Sequence, residues 1–143
     1  MRPTSATVAE VPDLFGTAVG LEMIRKIECV CIPTKDVGAS EAFYVSLGLR
    51  RSWIIERPRP DGKIWTLVGM KFADAASSEL VLSDNPDIDF TEIELAVDDV
   101  RATFAELRAN GAISWIREPF ATESGHVAVM EAPDGNVFVL VGA

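Results

Sequence analysis

The sequence predicts an α+β fold of two β-α-β-β-β units whose strands form curved mixed sheets around a concave cavity. The first observation behind this prediction is an internal repeat, since residues 29–50 and 92–113 align at a constant offset without a gap. The second is that both copies carry an aspartate before a helical segment and a glycine after it. The third is the alternating apolar pattern around each helical segment, which is typical of strands. A repeat constrains the architecture before any local prediction does.

Residues 1–22 are rich in small residues, interrupted by prolines and weakly patterned, so the folded domain is expected to span residues 23–143. We predict that residues 1–22 form a flexible N-terminal tail or an arm that packs on a neighbouring subunit, and both possibilities stay open. The first unit is expected to cover about residues 24–84 and the second about residues 90–142.

The first unit opens with the apolar run IRKIECVCIP, a predicted strand, followed by Asp36 as the N-cap of a helix. Gly48 is suited to the left-handed conformation after the helix. Strands are predicted at 51–56, 63–72 and 79–83, and the prolines and Asp-Gly pair of RPRPDG mark a hairpin turn between the first two. The helix is expected to bury an apolar stripe of Ala42, Phe43, Val45, Leu47 and Leu49.

The second unit repeats this order of elements. After a strand in EIELAV, Asp99 is the expected N-cap and Gly111 the expected left-handed residue behind the helix. Further strands are predicted at 113–117, 126–131 and 136–141, with a Pro-Asp-Gly turn ahead of the last. The buried stripe of this helix is expected to contain Phe104, Leu107 and either Ala105 or Arg108.

The composition excludes several classes of protein. With 48% hydrophobic and 24% charged residues, the chain has the make-up of a globular domain and not of a disordered or collagen-like one. Its net charge of −9 disfavours nucleic acid as a partner. A small basic cluster either belongs to a solvated strand edge or captures an anion at the cavity rim. It consists of Arg50, Arg51, Arg57, Arg59 and Lys63.

The sequence also indicates where the protein is found. No apolar stretch approaches the roughly 18 residues of a membrane-spanning helix, so we expect no membrane association. Cys29 and Cys31 lie two apart in a strand, which points both thiols the same way and hinders a disulfide between them. Because free thiols are typical of a reducing compartment, we expect a cytoplasmic protein.

Three segments resemble the vicinal oxygen chelate superfamily of glyoxalases, bleomycin-resistance proteins and extradiol dioxygenases. They are PTKDVGASEAFYVSLGL, LAVDDVRATFAELRANGA and the C-terminal APDGNVFVLV. Their order on an internal duplication makes the resemblance specific, and it covers nearly all of the chain from Ile24 onward. The resemblance implies the two-unit fold, a homodimer, and a cavity in which four inward side chains usually bind a divalent metal.

The resemblance places the four usual metal-ligand positions on Cys29, Glu79, Glu92 and Val139. Histidine is common at the first and third of these positions, and glutamate at the second and fourth. Glu79 is therefore kept, Glu92 is a different kind of ligand, and Val139 cannot coordinate a metal. The residues favour a protein without a metal cofactor, and a divalent ion held by Glu79 and Glu92 is the alternative.

Strand alternation indicates independently which side chains face the cavity. In IELAV, the apolar residues Ile93, Leu95 and Val97 are expected to pack against the helix, which turns Glu92 and Glu94 to the opposite face. The same rule turns inward Cys29, Glu79 and Val139. Buried carboxylates need water, a cation, a hydrogen-bond partner or a proton. The predicted ligand-binding residues are Cys29, Glu79, Glu92, Glu94, Trp65 and Phe120.

These residues favour a protein that binds a small organic molecule and sequesters a drug or metabolite, as the bleomycin-resistance branch does. An acidic cavity with aromatic neighbours suits a cationic, planar or amphipathic ligand. The alternative is a divalent-metal-dependent glyoxalase-type lyase or dioxygenase that uses Glu79 and Glu92. A third hypothesis, a protein-interaction module, predicts a filled cavity and exposed tryptophans.

No catalytic residue is predicted. The one histidine, His126, begins a strand and is expected to be a surface or hydrogen-bonded structural residue. The three tryptophans either stack on a planar ligand in the cavity or pack at a sheet or subunit interface. They are Trp53, Trp65 and Trp115.

Overall fold

The computed structural model describes residues 23–143, which form one open eight-stranded sheet with two helices. The tail or arm predicted for residues 1–22 lies outside the described residues. Within the described part of the chain, no helix is long and apolar enough to cross a membrane. The predicted α+β fold of two β-α-β-β-β units is confirmed.

Each unit contributes four strands and one helix in the predicted order. The first unit contains β1 (Ile24–Pro33), α1 (Val37–Ser46), β2 (Arg50–Pro58), β3 (Ile64–Lys71) and β4 (Glu79–Ser83). The second contains β5 (Glu92–Val97), α2 (Val100–Leu107), β6 (Ser114–Thr122), β7 (Gly125–Glu131) and β8 (Val137–Gly142).

The strand predicted at 113–117 is longer in the structure, where β6 continues to Thr122. Its pairing with β7 shifts register on both sides of Arg117. Such bulges interrupt the alternation of side chains, and alternation was the only signal for a strand in this segment. The alternating pattern in the sequence therefore ends at Arg117, whereas the strand continues to Thr122.

The sheet is organised around the contact between β1 and β5. Its strand order is β2-β3-β4-β1-β5-β8-β7-β6, in which β1 pairs antiparallel with β5 while β1–β4 and β5–β8 are parallel pairs. At the centre, Cys29 lies opposite Glu94 and Cys31 lies opposite Glu92. The repeat converts each of these pairs into the other, so the two units are related by a pseudo-two-fold axis between β1 and β5.

Both helices begin as the sequence predicts. The side chains of Asp36 and Asp99 each accept a hydrogen bond from a backbone N–H three residues later, at 2.9 Å. Gly48 has a positive φ of 103°, as predicted. The same prediction for Gly111 is wrong, since its φ is not positive. Asn110 makes the turn there, with its side chain accepting a hydrogen bond from the Ala112 N–H.

The apolar stripe predicted for α1 is wrong in most of its members. Of the five residues, Leu49 is buried, whereas Phe43 and Leu47 are 57% and 61% exposed and Ala42 and Val45 are also exposed. The helix packs instead through Val37 and Tyr44, which are seven residues apart and therefore share a face. Phe43 and Leu47 are four residues apart and therefore also share a face of the helix, but that face is exposed and does not pack on the sheet.

In α2 the prediction holds for Leu107, which is buried, and for Phe104, whose ring meets Trp115 edge-to-face at 4.7 Å. It is wrong for both Ala105 and Arg108, which are exposed. Val100 and Thr103 complete the buried face of the helix instead.

Each helix covers its own half of the sheet and forms one core there. The core under α1 consists of Leu49, Val68, Met70 and Leu82, and the core under α2 includes Val97, Val100, Leu107, Ala128 and Leu140. A third cluster, of Cys29, Cys31 and Val81, lies on the opposite face of the sheet. Both helices are therefore on one face, and the other face is left for a site.

Replacing Asp36 or Asp99 with alanine is expected to lower the free energy of unfolding by about 1 kcal/mol, because each removes the acceptor for a helix N-terminal N–H. Urea denaturation followed by circular dichroism measures the change. Glu106→Ala, at an exposed position of α2, is the control and is expected to stay within about 0.5 kcal/mol of the wild type. A capping variant as stable as this control would contradict the assignment.

Candidate functional site

The face of the sheet opposite the helices encloses a cavity of about 1020 Å³. This volume is at the upper end of the range found for small-molecule sites. Side chains of both units line it, including six carboxylates and the two arginines Arg57 and Arg117. The cavity is therefore wide, shared by the two units, and acidic.

All six residues predicted to bind a ligand line this cavity, and so does Val139. Of the three tryptophans, Trp53 and Trp65 also line it. Trp115 does not, because it packs against Phe104 on the helix side of the sheet. The structure therefore brings the six predicted residues together in one cavity, and the role of each in binding a ligand stays a prediction.

The register of the central strands brings the polar groups together. Cys29 lies opposite Glu79 on β4 and opposite Glu94 on β5, so the thiol is between two carboxylates. The indole N–H of Trp53 donates a hydrogen bond of 3.1 Å to Glu79. Trp53 can lie flat on the sheet because Gly69 is below its ring, where a Cβ would come within 2.2 Å of the indole.

Desolvation raises the pKa of Glu94, and the neighbouring Glu28 and Glu79 raise it further, although the Cys29 thiol and Arg57 act in the opposite direction. Burial likewise raises the pKa of Glu92, with a contribution from Glu94. Burial of either carboxylate in its charged form therefore costs free energy, and a cationic group beside it would offset that cost.

Burial also raises the pKa values of the two thiols. Desolvation and then Glu94 raise the pKa of Cys29 far above its ordinary value, and desolvation with Glu92 and Glu94 raises the pKa of Cys31 to about 12. The side chains are only 4% and 6% exposed. They remain protonated at neutral pH, so they are weak nucleophiles.

The side chains at the four positions where the resemblance implies metal ligands do not form a donor set that suits a divalent metal. At the four ligand positions, Cys29 offers a soft sulfur beside the hard carboxylates Glu79 and Glu92, and Val139 has no donor atom. On β8, Val137 lies opposite Glu92 and Val139 lies opposite Glu94, so neither position supplies another carboxylate. Within residues 23–143, no group of three or more histidine, cysteine, aspartate or glutamate side chains could hold a metal. The metal-binding role of Glu79 and Glu92 stays a prediction.

Alternation did not reveal the two arginines of the cavity. Arg57 forms an ion pair with Glu123 of the other unit and lies over Trp65, 5.4 Å from the ring centroid. Arg117 lies 3.9 Å from the ring centroid of Phe120. Arg57 belonged to the basic cluster noted in the sequence, whereas the bulge in β6 concealed the direction of Arg117.

The rest of the basic cluster and the histidine have other positions. Arg51 pairs with Glu41 of α1, and Arg59 lies within ion-pair distance of Asp61 and Asp87. His126 lines the cavity, and its Nε2 accepts a hydrogen bond from Arg101 at 2.9 Å. The prediction of a hydrogen-bonded histidine is therefore confirmed.

An open sheet made of two fused β-α-β-β-β units, with a cavity on the face opposite its helices, defines the vicinal oxygen chelate class of proteins. The chain belongs to the Glyoxalase/Bleomycin resistance protein/Dioxygenase superfamily, whose model matches residues 26–140. No curated protein matches the sequence of this chain.

Several solved structures share the fold. A hypothetical protein from Bacillus halodurans C-125 is 18% identical with a TM-score of 0.65, covering 82% of this chain and 94% of that one. A variant of Streptomyces coelicolor methylmalonyl-CoA epimerase in complex with 2-nitronate-propionyl-CoA is 18% identical with a TM-score of 0.61, covering 84% and 98%. A catechol 2,3-dioxygenase is 17% identical with a TM-score of 0.56, covering 82% of this chain and 43% of that one. Likeness at these identities shows the fold alone.

Gly69→Ala is expected to destabilise the protein by about 1–3 kcal/mol, because the new methyl group must displace the Trp53 ring. Chemical denaturation measures the loss, and tryptophan fluorescence of the folded variant reports the moved indole. Gly111→Ala is the matched control, since its Cβ would meet nothing within 4 Å. Equal stability of the two variants would be evidence against the contact between Gly69 and Trp53.

Glu94→Gln is expected to stabilise the protein increasingly as the pH rises. The folded pKa of Glu94 is raised above the ordinary 4.5, so the folded state binds more protons than the unfolded state in that window. The wild type therefore loses stability relative to the variant from about pH 4.5 up through the raised pKa.

Urea denaturation of both proteins across this pH range measures the difference. Carboxylates far from Glu94 titrate alike in both proteins, so their contributions cancel in the comparison. The pKa of Glu92 falls in the variant, because Glu94 contributes to raising it, and this change acts in the same direction. Glu106→Gln, on the exposed surface of α2, is the control. A difference between wild type and Glu94→Gln that is flat or grows in favour of the wild type with pH would exclude a desolvated Glu94.

Proposed function

We propose that this protein binds and sequesters a small organic molecule with a cationic, planar part, and that it does so without a metal cofactor. The observation that carries this proposal is the pair Glu92 and Glu94, two desolvated carboxylates on the floor of an open cavity of about 1020 Å³. A ligand cation offsets the cost of their burial, and attraction between charges is stronger in such a site than in water.

The aromatic side chains of the cavity support a planar ligand. Trp53 and Trp65 come from the first unit and Phe120 comes from the second, so aromatic surface is available on both sides of the cavity. Aromatic rings supply a large contact area and favourable stacking with other rings. The solved epimerase complex with 2-nitronate-propionyl-CoA supports the idea that this fold accommodates an organic ligand.

The metal-dependent lyase or dioxygenase has weaker support from the same residues. Catalytic metals are usually held by about three protein ligands, with further positions open for substrate. Glu79 and Glu92 are the two carboxylates at the expected positions, and Val139 cannot add a third. We therefore favour binding over catalysis.

Isothermal titration of the purified chain with proflavine, a planar aromatic cation, tests the binding proposal. Acridine has the same ring system and is mostly uncharged near neutral pH, so it measures the contribution of the charge. Glu94→Gln is expected to weaken proflavine binding about tenfold, in line with the value of a charge-assisted contact. Glu118→Gln, an exposed carboxylate outside the cavity, is the control and is expected to bind as the wild type does.

Elemental analysis of the same protein distinguishes the two functions. A stoichiometric divalent ion that is lost in both Glu79→Ala and Glu92→Ala would contradict the metal-free proposal and favour the lyase or dioxygenase. Equal affinity for proflavine in the wild type and Glu94→Gln would contradict a contact between Glu94 and the ligand cation, and the same result in a Glu92→Gln, Glu94→Gln double variant would overturn the proposal.

We also propose that the protein is a cytoplasmic homodimer. The free thiols of Cys29 and Cys31 support the location, because free thiols are typical of a reducing compartment. The support for the dimer is the exposed apolar surface of α1 and its C-cap, where Phe43, Val45 and Leu47 are each at least half exposed. A second copy would cover this surface. Sedimentation equilibrium is expected to give the mass of a dimer for the wild type and a shift toward monomer for Phe43→Ser. An unchanged mass in the variant would place any dimer contact elsewhere.

A further inference from the structure

The buried carboxylates of the cavity and its two arginines come from different parts of the sheet. The carboxylates Glu79, Glu92 and Glu94 come from β4 and β5, next to the centre of the sheet, whereas Asp87 and Glu123 of the lining lie outside the strands. The arginines Arg57 and Arg117 come from β2 and β6, the two edge strands. An acidic floor is therefore bordered on both sides by a guanidinium group.

Arg57 has hydrogen-bonding capacity that the protein does not use. Its Nη2 donates a hydrogen bond to Glu123, while its Nε is buried and has no partner among residues 23–143. Buried polar groups are nearly always paired, so an unpaired donor in a cavity wall indicates a partner outside the chain. The stacking of this arginine on Trp65 keeps the guanidinium in place.

Arg117 is available to an even greater degree. No carboxylate among the described residues lies within ion-pair distance of it. Its guanidinium is 3.9 Å from the centroid of the Phe120 ring, a cation–π contact that uses none of its N–H donors. A guanidinium offers a planar set of donors that matches two oxygens of one anion.

The other arginines of the basic cluster lie outside the cavity. Arg51 is engaged by Glu41, and Arg59 lies near both Asp61 and Asp87, although its Nη1 is buried without a hydrogen bond to any described residue. None of Arg50, Arg51 and Arg59 lines the cavity. The two guanidinium groups that do reach the cavity are thus distinguished by their position.

We propose that the ligand is amphoteric, with an oxyanion bound by Arg57 and Arg117 and a cationic group bound by Glu92 and Glu94. The aromatic part of the ligand lies between them, against Trp65 and Phe120. This inference rests on the proposed binding function and narrows its ligand class, since a simple cation would leave the buried Nε of Arg57 and the guanidinium of Arg117 without a partner in the described chain. The oxyanion is a carboxylate or a phosphate.

The test uses a rigid ligand and two neutralised forms of it. The ligand is 4′-(aminomethyl)biphenyl-4-carboxylate, its methyl ester keeps only the cation, and its N-acetyl form keeps only the anion. Isothermal titration of the full chain is expected to show the zwitterion binding at least about tenfold more tightly than either form. The affinity of the corresponding phosphonate is compared with that of the carboxylate, and the tighter of the two indicates which oxyanion the site prefers.

Arg117→Gln is expected to remove the advantage of the zwitterion over the ester, because the ester has no anion for Arg117 to bind. The cationic ester is expected to bind the variant no more weakly than the wild type, since a positive charge has been removed from the cavity. Glu94→Gln is expected to remove the advantage over the N-acetyl form instead. Arg108→Gln is the matched control, because Arg108 also stacks on a phenylalanine, Phe104, but lies outside the cavity. Circular dichroism establishes that each variant is folded, and Arg117→Lys tests charge without the planar group.

The outcomes separate this inference from the proposed function. If the ester binds as tightly as the zwitterion, or if Arg117→Gln weakens both to the same extent, the amphoteric ligand is excluded and the binding of cations stands. If neither the ester nor the zwitterion binds, both the inference and the proposed function are overturned.

Discussion

The antiparallel register of β1 and β5 is the constraint on which the rest of the structure depends. It joins the two units into one sheet and places Cys29 against Glu94 and Cys31 against Glu92. A slip of one residue would turn these side chains to the helix face and bring apolar residues into the cavity. The cavity floor, its acidity and the pseudo-symmetry of the fold therefore have one origin.

The divergence of the two units explains the character of the cavity. At the centre of the cavity, the first unit has a buried thiol beside Glu79, and the second has Glu92 beside a valine-rich β8. Acidic groups therefore lie in a site from which water is partly excluded. Burial and neighbouring carboxylates raise the pKa values of Glu92 and Glu94, and a positive charge beside them would offset that effect.

The sequence predicted the fold and the cavity floor well, because both depend on period and repetition. The duplication defined the order of elements, and alternation turned Glu79, Glu92 and Glu94 to the correct face. The failures occurred where periodicity has more than one solution or is interrupted. Two apolar stripes compete on α1, and only packing against the sheet selects the one that contains Val37 and Tyr44.

The cavity walls could not be predicted for a related reason. Arg117 is adjacent to register shifts in β6, and the ion pair of Arg57 with Glu123 joins residues of different units. Nothing in the local pattern of either segment reports that the two edge strands approach one another. That approach follows from the curvature of the whole sheet, which only the three-dimensional structure provides.

The contact between Arg57 and Glu123 also bears on the mouth of the cavity. Because β2 and β6 are the two ends of an open sheet, no ladder of backbone hydrogen bonds joins them in the described chain. The side chains of Arg57 and Glu123 are 36% and 65% exposed, and an ion pair so accessible to water is worth about 1 kcal/mol or less. This contact therefore does not seal the cleft, whose width depends on the curvature of the continuous sheet.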